Sequence, residues 1–214
     1  MYLPQAFEEK RPEELHRVIT AFPLGALVIN GPHGLDANHI PFELDPQAMP
    51  HGRLLAHVAR ANPLWQEARD GDAVLVIFRA VDAYISPNWY PSKHETHRQV
   101  PTWNYQAVHV HGRLHIRDDE RFVRGVVARL TRDHEARAGE PRPWRMTDSA
   151  PEYIHQMLAN IVGIEIGIER MVGKWKLGQN KEARDRLGAA EALGRRGDAE
   201  TSAAMLEAAP PPSS

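Results

Sequence analysis

From Asn104 to Arg117 the chain alternates. Val108, Val110, Leu114 and Ile116 fall on one side, and His109, His111, Arg113 and His115 on the other. A period of two is that of a strand with one buried face. A long strand of this kind needs antiparallel neighbours and a core on one side, which narrows the folds available. Ala73-Val74-Leu75-Val76-Ile77-Phe78 is an unbroken apolar run of strand length and predicts a central strand.

The other elements arrange themselves around these two. Leu15, Val18, Ile19 and Phe22 recur at helical spacing behind Pro12, and Pro23 stops that helix. Gly25–Asn30 reads as a strand. Gly31-Pro32-His33-Gly34 turns it into a second strand through Ala37-Asn38-His39-Ile40, giving a hairpin. A strand is predicted over 53–58 and another over 162–170, where Ile164, Ile166 and Ile168 alternate with Glu165, Gly167 and Glu169. Helices are predicted over 119–131, from Pro151, and from Asn180 as a cap; residues 87–99 and 132–147 read as loops, and Lys174 and Lys176 fall in a basic loop. Six strands arrive without helices between most of them, so a doubly wound parallel sheet is excluded. A closed or nearly closed antiparallel barrel with peripheral helices fits, an α+β chain that is mainly β. Residues 1–196 read as one domain, and the Ala- and Pro-rich stretch 197–214 as a disordered tail.

Composition limits the chemistry. The 214 residues hold 26 Lys plus Arg against 28 Asp plus Glu, a formal charge of -2, which argues against binding driven by phosphate attraction alone. Nine arginines lie between 113 and 145, diluted by six acidic residues, and no helix-turn-helix is evident. With no Cys there is no disulfide, cysteine–zinc site or thiol nucleophile. The 12 His keep imidazole chemistry open, but the row at His109, His111 and His115 lacks a third-ligand pattern, so no metal is expected. No apolar run is long enough for a membrane helix and no signal peptide is evident, so a cytoplasmic location without membrane association is expected.

Three clusters are candidates for a ligand. Tyr84, Trp89, Tyr90, Trp103 and Tyr105 crowd into 84–105, interleaved with Ser86, Lys93, Thr102 and Asn104. Stacking faces beside directional polar groups suit a planar ligand with a polar edge; the alternative is a long loop pinned by its aromatics. His57-Val58-Ala59-Arg60-Ala61-Asn62-Pro63 closes a strand. Arg60 offers a planar fork for a phosphate, or is a surface residue beside a turn-forming Asn-Pro. Lys174, Lys176, Gln179 and Asn180 read either as an anion site or as a solvated basic loop with a helix cap.

Six strings together resemble the PaiB family of FMN-binding negative transcriptional regulators. They are Met1-Tyr2-Leu3-Pro4 with Phe7, Ala37–Phe42, His57–Trp65, Ala83–Tyr90, Val100–Tyr105 and Gly173–Asn180. One departure is Gly178, where the family often has Ser. The resemblance reaches about residue 194. It implies a split antiparallel β-barrel of the pyridoxamine-phosphate-oxidase-like kind, a homodimer, and FMN at the subunit interface. It also implies that His57, Arg60 and Asn62 serve the phosphate and ribityl end, and that Asn38 and His39 lie beneath the ring. Ser86, Lys93, Thr102, Asn104 and Tyr105 would close over the ring, with Lys176, Gln179 and Asn180 approaching from the last loop. Transcriptional repression is the implied function, with DNA as a partner that the charge balance supports poorly. The alternatives are a flavin-dependent oxidoreductase and, from the His count, a haem-binding barrel.

Overall fold

The computed structural model describes residues 1–48 and 50–208. The strands are β1 (Glu8–Glu9), β2 (Leu24–Gly31), β3 (Gly34–Pro41), β4 (Glu43–Asp45), β5 (Arg53–Ala59), β6 (Ala73–Ile85), β7 (Thr102–Arg117) and β8 (Ile161–Lys176). The helices are α1 (Pro12–Ala21), α2 (Leu64–Glu67), α3 (Pro91–Thr96), α4 (Glu120–Ala138), α5 (Pro151–Ala159), α6 (Ala183–Arg195) and α7 (Ala199–Glu207). The strands form an eight-stranded antiparallel sheet in the order β3-β2-β6-β7-β8-β5-β4, with β1 on β8. This is the α+β, mainly β architecture that the sequence predicts, with eight strands in place of six.

The chain divides into two compact units. One comprises Met1–Val18, Arg79–Val108 and Val172–Ser214; the other comprises Ile19–Phe78 and His109–Met171. We call them the first and second unit.

In the second unit the β2–β3 hairpin closes Gly31 on Gly34, whose positive φ of 101° suits glycine at the end of a two-residue turn. β5 pairs with β8 from Arg53↔Gly167 to Ala59↔Ile161. Leu54, Val58, Val76, Phe78, Val110, Leu114, Ile164 and Ile166 are buried, as their alternation requires. Asp119 caps α4, its carboxylate accepting from the Phe122 amide at 2.8 Å, and Val126 and Leu130 pack on Leu55. Gly112 permits close strand approach: a Cβ there would meet the Gly167 carbonyl and sit 2.8 Å from Ile166 Cγ2.

In the first unit α6 packs on α7 and on α3. A Cβ on Gly188 would sit 2.5 Å from the Trp89 carbonyl, so glycine lets α6 approach the turn before α3. Asp198 caps α7, accepting from the Thr201 amide at 3.1 Å, and Met205 and Thr201 are buried.

Four expectations change. The stretch 132–138, read as loop, continues α4, which ends only at Gly139, whose positive φ of 69° forms its C-cap. The segment 87–99 holds a 3-10 turn and α3. Lys174 and Lys176 belong to β8, not to a loop. Residues 199–207, read as disordered, form α7; residues 209–214 of that expected tail lie outside the described residues. Among the described residues no helix is long and apolar enough to cross a membrane.

Candidate functional site

The second unit holds Asn38, His39, His57, Arg60 and Asn62. Asn62 follows β5 and performs two tasks: its Oδ1 accepts from the Leu64 amide at 2.9 Å, and its Nδ2 donates to Asn38 Oδ1 at 2.7 Å. Asn38 Nδ2 in turn donates to Asp36 at 2.9 Å. His39 is exposed on β3. Arg60 forks the Asp118 carboxylate at 2.9 and 2.5 Å and donates to the Ala159 carbonyl at 2.7 Å. Its guanidinium also lies over the Trp65 ring, whose Nε1 donates to the Arg60 carbonyl. The Arg60 fork that suits a phosphate is engaged by a carboxylate and two backbone carbonyls, those of Ala159 and Ile161. His57 differs: its Nδ1 is buried with no partner, and burial lowers its pKa from 6.5. It is the orphaned polar atom of this group.

The first unit holds the remaining candidates. Ser86 Oγ accepts from the Asn88 amide at 3.3 Å, and Lys93 Nζ donates to Asn88 Oδ1 at 3.0 Å. Asn104 is buried, its Nδ2 directed at the Met205 sulfur at 3.4 Å. Gln179 is buried and closes the turn after β8, accepting from the Leu177 amide at 2.8 Å and donating to the Trp175 carbonyl at 2.6 Å. Asn180 is exposed; Glu182, not Asn180, occupies the N-cap position of α6.

Three lysines organise this unit. Lys176 Nζ donates to the Thr102 hydroxyl and to the Trp103 carbonyl. Lys174, buried, lies over the Tyr105 ring at 5.4 Å and the Tyr2 ring at 5.6 Å and donates to the Tyr2 carbonyl at 3.0 Å. Lys181 lies over the Tyr90 ring at 5.3 Å and donates to Gln99 Oε1 at 2.7 Å. Among the described residues none of the three pairs with a carboxylate. Burial, and then the neighbouring Lys174 and Lys181, lower the pKa of Lys176. Beside these lysines, Tyr84 and Trp103 meet edge-on at 6.1 Å and leave half of each side chain exposed, 48% and 55%.

Thr102, Tyr105 and Lys176 thus come together, whereas Ser86 and Lys93 close a separate turn around Asn88. Lys181, Gln99 and Asp185 were not singled out from the sequence as site residues, since helix caps and loops commonly carry such side chains. The pattern Lys174-Trp175-Lys176 with Lys181 five residues on was the available signal.

The expected row of His109, His111 and His115 lies on β7. His109 and His111 have pKa values lowered first by burial, and His115 Nδ1 lies 3.2 Å from Asp70. Among the described residues no cluster of three or more potential metal ligands occurs.

A family model described as "Putative FMN-binding domain" matches residues 1–170, and the chain belongs to that family. It is 29% identical over 193 residues to "Protease synthase and sporulation protein PAI 2" of Bacillus subtilis (strain 168), covering 90% of this chain and 89% of that one. It is 31% identical over 240 residues to a protein of Aspergillus fumigatus, covering 92% of each. Among solved structures it resembles the "FAD and Heme binding protein" of Mycobacterium smegmatis, with a TM-score of 0.56, 17% identity, and 85% and 79% of the two chains covered. A conserved protein of Mycobacterium tuberculosis gives a TM-score of 0.53, 15% identity, and 82% and 90% covered. At these identities the solved structures establish the fold alone, the split-barrel class of the resemblance.

Proposed function

We propose that this chain binds FMN and that the first unit supplies the anion site for its phosphate, at Lys176 and Lys181. The single observation that carries this reading is the set of lysines 174, 176 and 181 without a carboxylate partner among the described residues. Arg53 and Arg60 face acids; these three lysines face aromatic rings, a hydroxyl, an amide and carbonyls. A phosphate would accept the remaining N–H groups of Lys176 and Lys181. The exposed faces of Tyr84 and Trp103 provide the stacking surface that a planar ring wants. The donor set therefore fits a planar anion.

Bound FMN would supply hydride and single-electron transfer; the chain would bind, orient and charge-balance it. Lys176 is held by Thr102 and the Trp103 carbonyl, so little side-chain freedom remains to be lost on binding. The homodimer implied by the family belongs to this proposal, with the exposed Tyr84–Trp103 pair as the kind of surface that a partner or ligand covers. So does a cytoplasmic location.

For the negative regulation implied by the PaiB resemblance, we infer a route through the flavin instead of direct DNA contact. Five of the nine arginines between 113 and 145 (Arg113, Arg117, Arg124, Arg129 and Arg132) are neutralised by carboxylates. The second reading, a flavin-dependent oxidoreductase, is favoured by the exposed aromatic pair, which offers space for a planar electron donor. The test is the visible spectrum of the purified protein followed by FMN titration. A flavin spectrum, or tight uptake of added FMN, supports the reading; a haem spectrum or no uptake contradicts it.

A further inference from the structure

A buried carboxylate lies behind the lysines without touching them. Asp185, on α6, is 1% exposed, and among the described residues it pairs with no cation. Its Oδ1 accepts from the Ser92 amide at 3.0 Å, and its Oδ2 accepts from the Ser92 hydroxyl at 2.5 Å and from Gln99 Nε2 at 3.2 Å. Gln99 Nε2 also donates to Ser92 Oγ at 2.8 Å. Asp185 Oδ2 is an acceptor here, so the Gln99 face directed at it is the NH2. The Gln99 carbonyl is thereby forced to the other side, where it accepts from Lys181 Nζ at 2.7 Å. The same ammonium lies over the Tyr90 ring, 5.3 Å from its centroid.

We propose that Asp185 is a positioning residue: by fixing the orientation of the Gln99 amide it holds the Lys181 ammonium ready for the anionic group of the ligand. The inference rests on the FMN reading above and deepens it, because it adds a residue that sets phosphate recognition from a distance. Lys181 is close enough to Lys176 for their charges to repel, so without the Gln99 carbonyl the ammonium would have reason to move away. Replacing Asp185 by Asn supplies an NH2 where only an acceptor stood. Gln99 is then free to flip and present its own NH2 to the Lys181 ammonium, which repels it.

The test compares FMN with riboflavin, which lacks the phosphate, by flavin fluorescence titration of the full chain. The variants are Lys181→Met, Asp185→Asn and Gln99→Met, each checked for folding by circular dichroism. Loss of a charge-assisted bond to phosphate predicts a fall of about tenfold in FMN affinity for each. Riboflavin affinity should stay at its wild-type value, so the FMN-to-riboflavin ratio falls. A structural role alone would lower both affinities together and leave the ratio intact. If Asp185→Asn does not fold, Gln99→Met carries the test. An unchanged ratio in Gln99→Met, or in a folded Asp185→Asn, overturns the inference, as does an unchanged ratio in Lys181→Met. If the wild-type chain takes up no FMN at all, the underlying reading fails instead, and the two failures are distinct.

Discussion

Arg60 closes on Asp118 with both terminal nitrogens, at 2.9 and 2.5 Å, while its Nε reaches the Ala159 carbonyl at 2.7 Å. The same residue's backbone amide donates to the Asn160 carbonyl at 2.8 Å. One arginine therefore ties the turn after β5 to the junction between α5 and β8. Its role follows from the backbone it holds more than from the charge that it neutralises, since the ion pair is exposed on both sides.

Arg60→Ala is accordingly expected to lower the unfolding midpoint while changing FMN affinity by less than about twofold, because its guanidinium is already engaged by Asp118 and by the Ala159 and Ile161 carbonyls. Thermal denaturation followed by circular dichroism, together with FMN titration of the folded variant, checks both halves. A loss of FMN affinity with an unchanged midpoint would return Arg60 to the phosphate.

Gly112→Ala is expected to destabilise strongly. The added methyl group would press on the Gly167 carbonyl and on Ile166 Cγ2, 2.8 Å away, in the middle of the sheet. Backbone cannot swing aside as a flexible side chain can, so the cost is about 1–3 kcal/mol or more, typical of overpacking. Urea unfolding reads it as a lower midpoint at constant slope. Gly167→Ala is the control, because a Cβ there meets nothing within 4 Å.

Stability is expected to fall as pH drops below 6.5. Burial lowers the pKa of His57 beneath the ordinary imidazole value of 6.5, and it does the same for His109 and His111. Between the folded and unfolded pKa values the unfolded chain binds more protons, so stability rises with pH in that window. The penalty is absent above 6.5, grows as pH falls and levels off below the folded pKa values. Unfolding free energy measured between pH 5 and 7 should show a shallower acid-side loss in His57→Gln than in wild type. An identical slope would mean that His57 titrates alike in both states.

Direct DNA binding is expected to be absent. With Arg113, Arg117, Arg124, Arg129 and Arg132 facing carboxylates, and six acidic residues in the same stretch, more than half of the arginine charge between 113 and 145 is offset before a duplex arrives. A gel-shift titration at low salt, where that attraction is greatest, should give no retarded band. A sequence-dependent band would restore direct repression.

Much of the framework is legible in the sequence because its signals are local. The β2–β3 hairpin is announced by Gly31 and Gly34, and β7 by the alternation from Val108 to Ile116. What escapes is decided by tertiary contacts. Lys174 and Lys176 look like loop residues, yet β8 continues through them because Tyr2 and Tyr105 cover the Lys174 ammonium, and the Thr102 hydroxyl and the Trp103 carbonyl accept hydrogen bonds from the Lys176 ammonium. α7 lacks bulk apart from Met205 and Leu206, and Met205 is buried beside Asn104. The motifs that identify the family were equally visible, but not their tasks. Arg60 and Asn62 are conspicuous by type, yet their contacts with Asp118, Ala159, Asn38 and Leu64 depend on which segments the fold brings up, whereas Lys181 is ordinary by type and acquires Tyr90 and Gln99 only in the folded chain.

The most direct measurement is the affinity for FMN and for riboflavin of the wild-type chain and of Lys176→Met, at low and high salt. The lysine cluster predicts that wild type prefers FMN and that the preference weakens with salt. In Lys176→Met it should shrink by roughly 10- to 100-fold, the range for a hydrogen bond to a charged group, with riboflavin binding retained. Equal preference for FMN in the two proteins would contradict an anion site at Lys176.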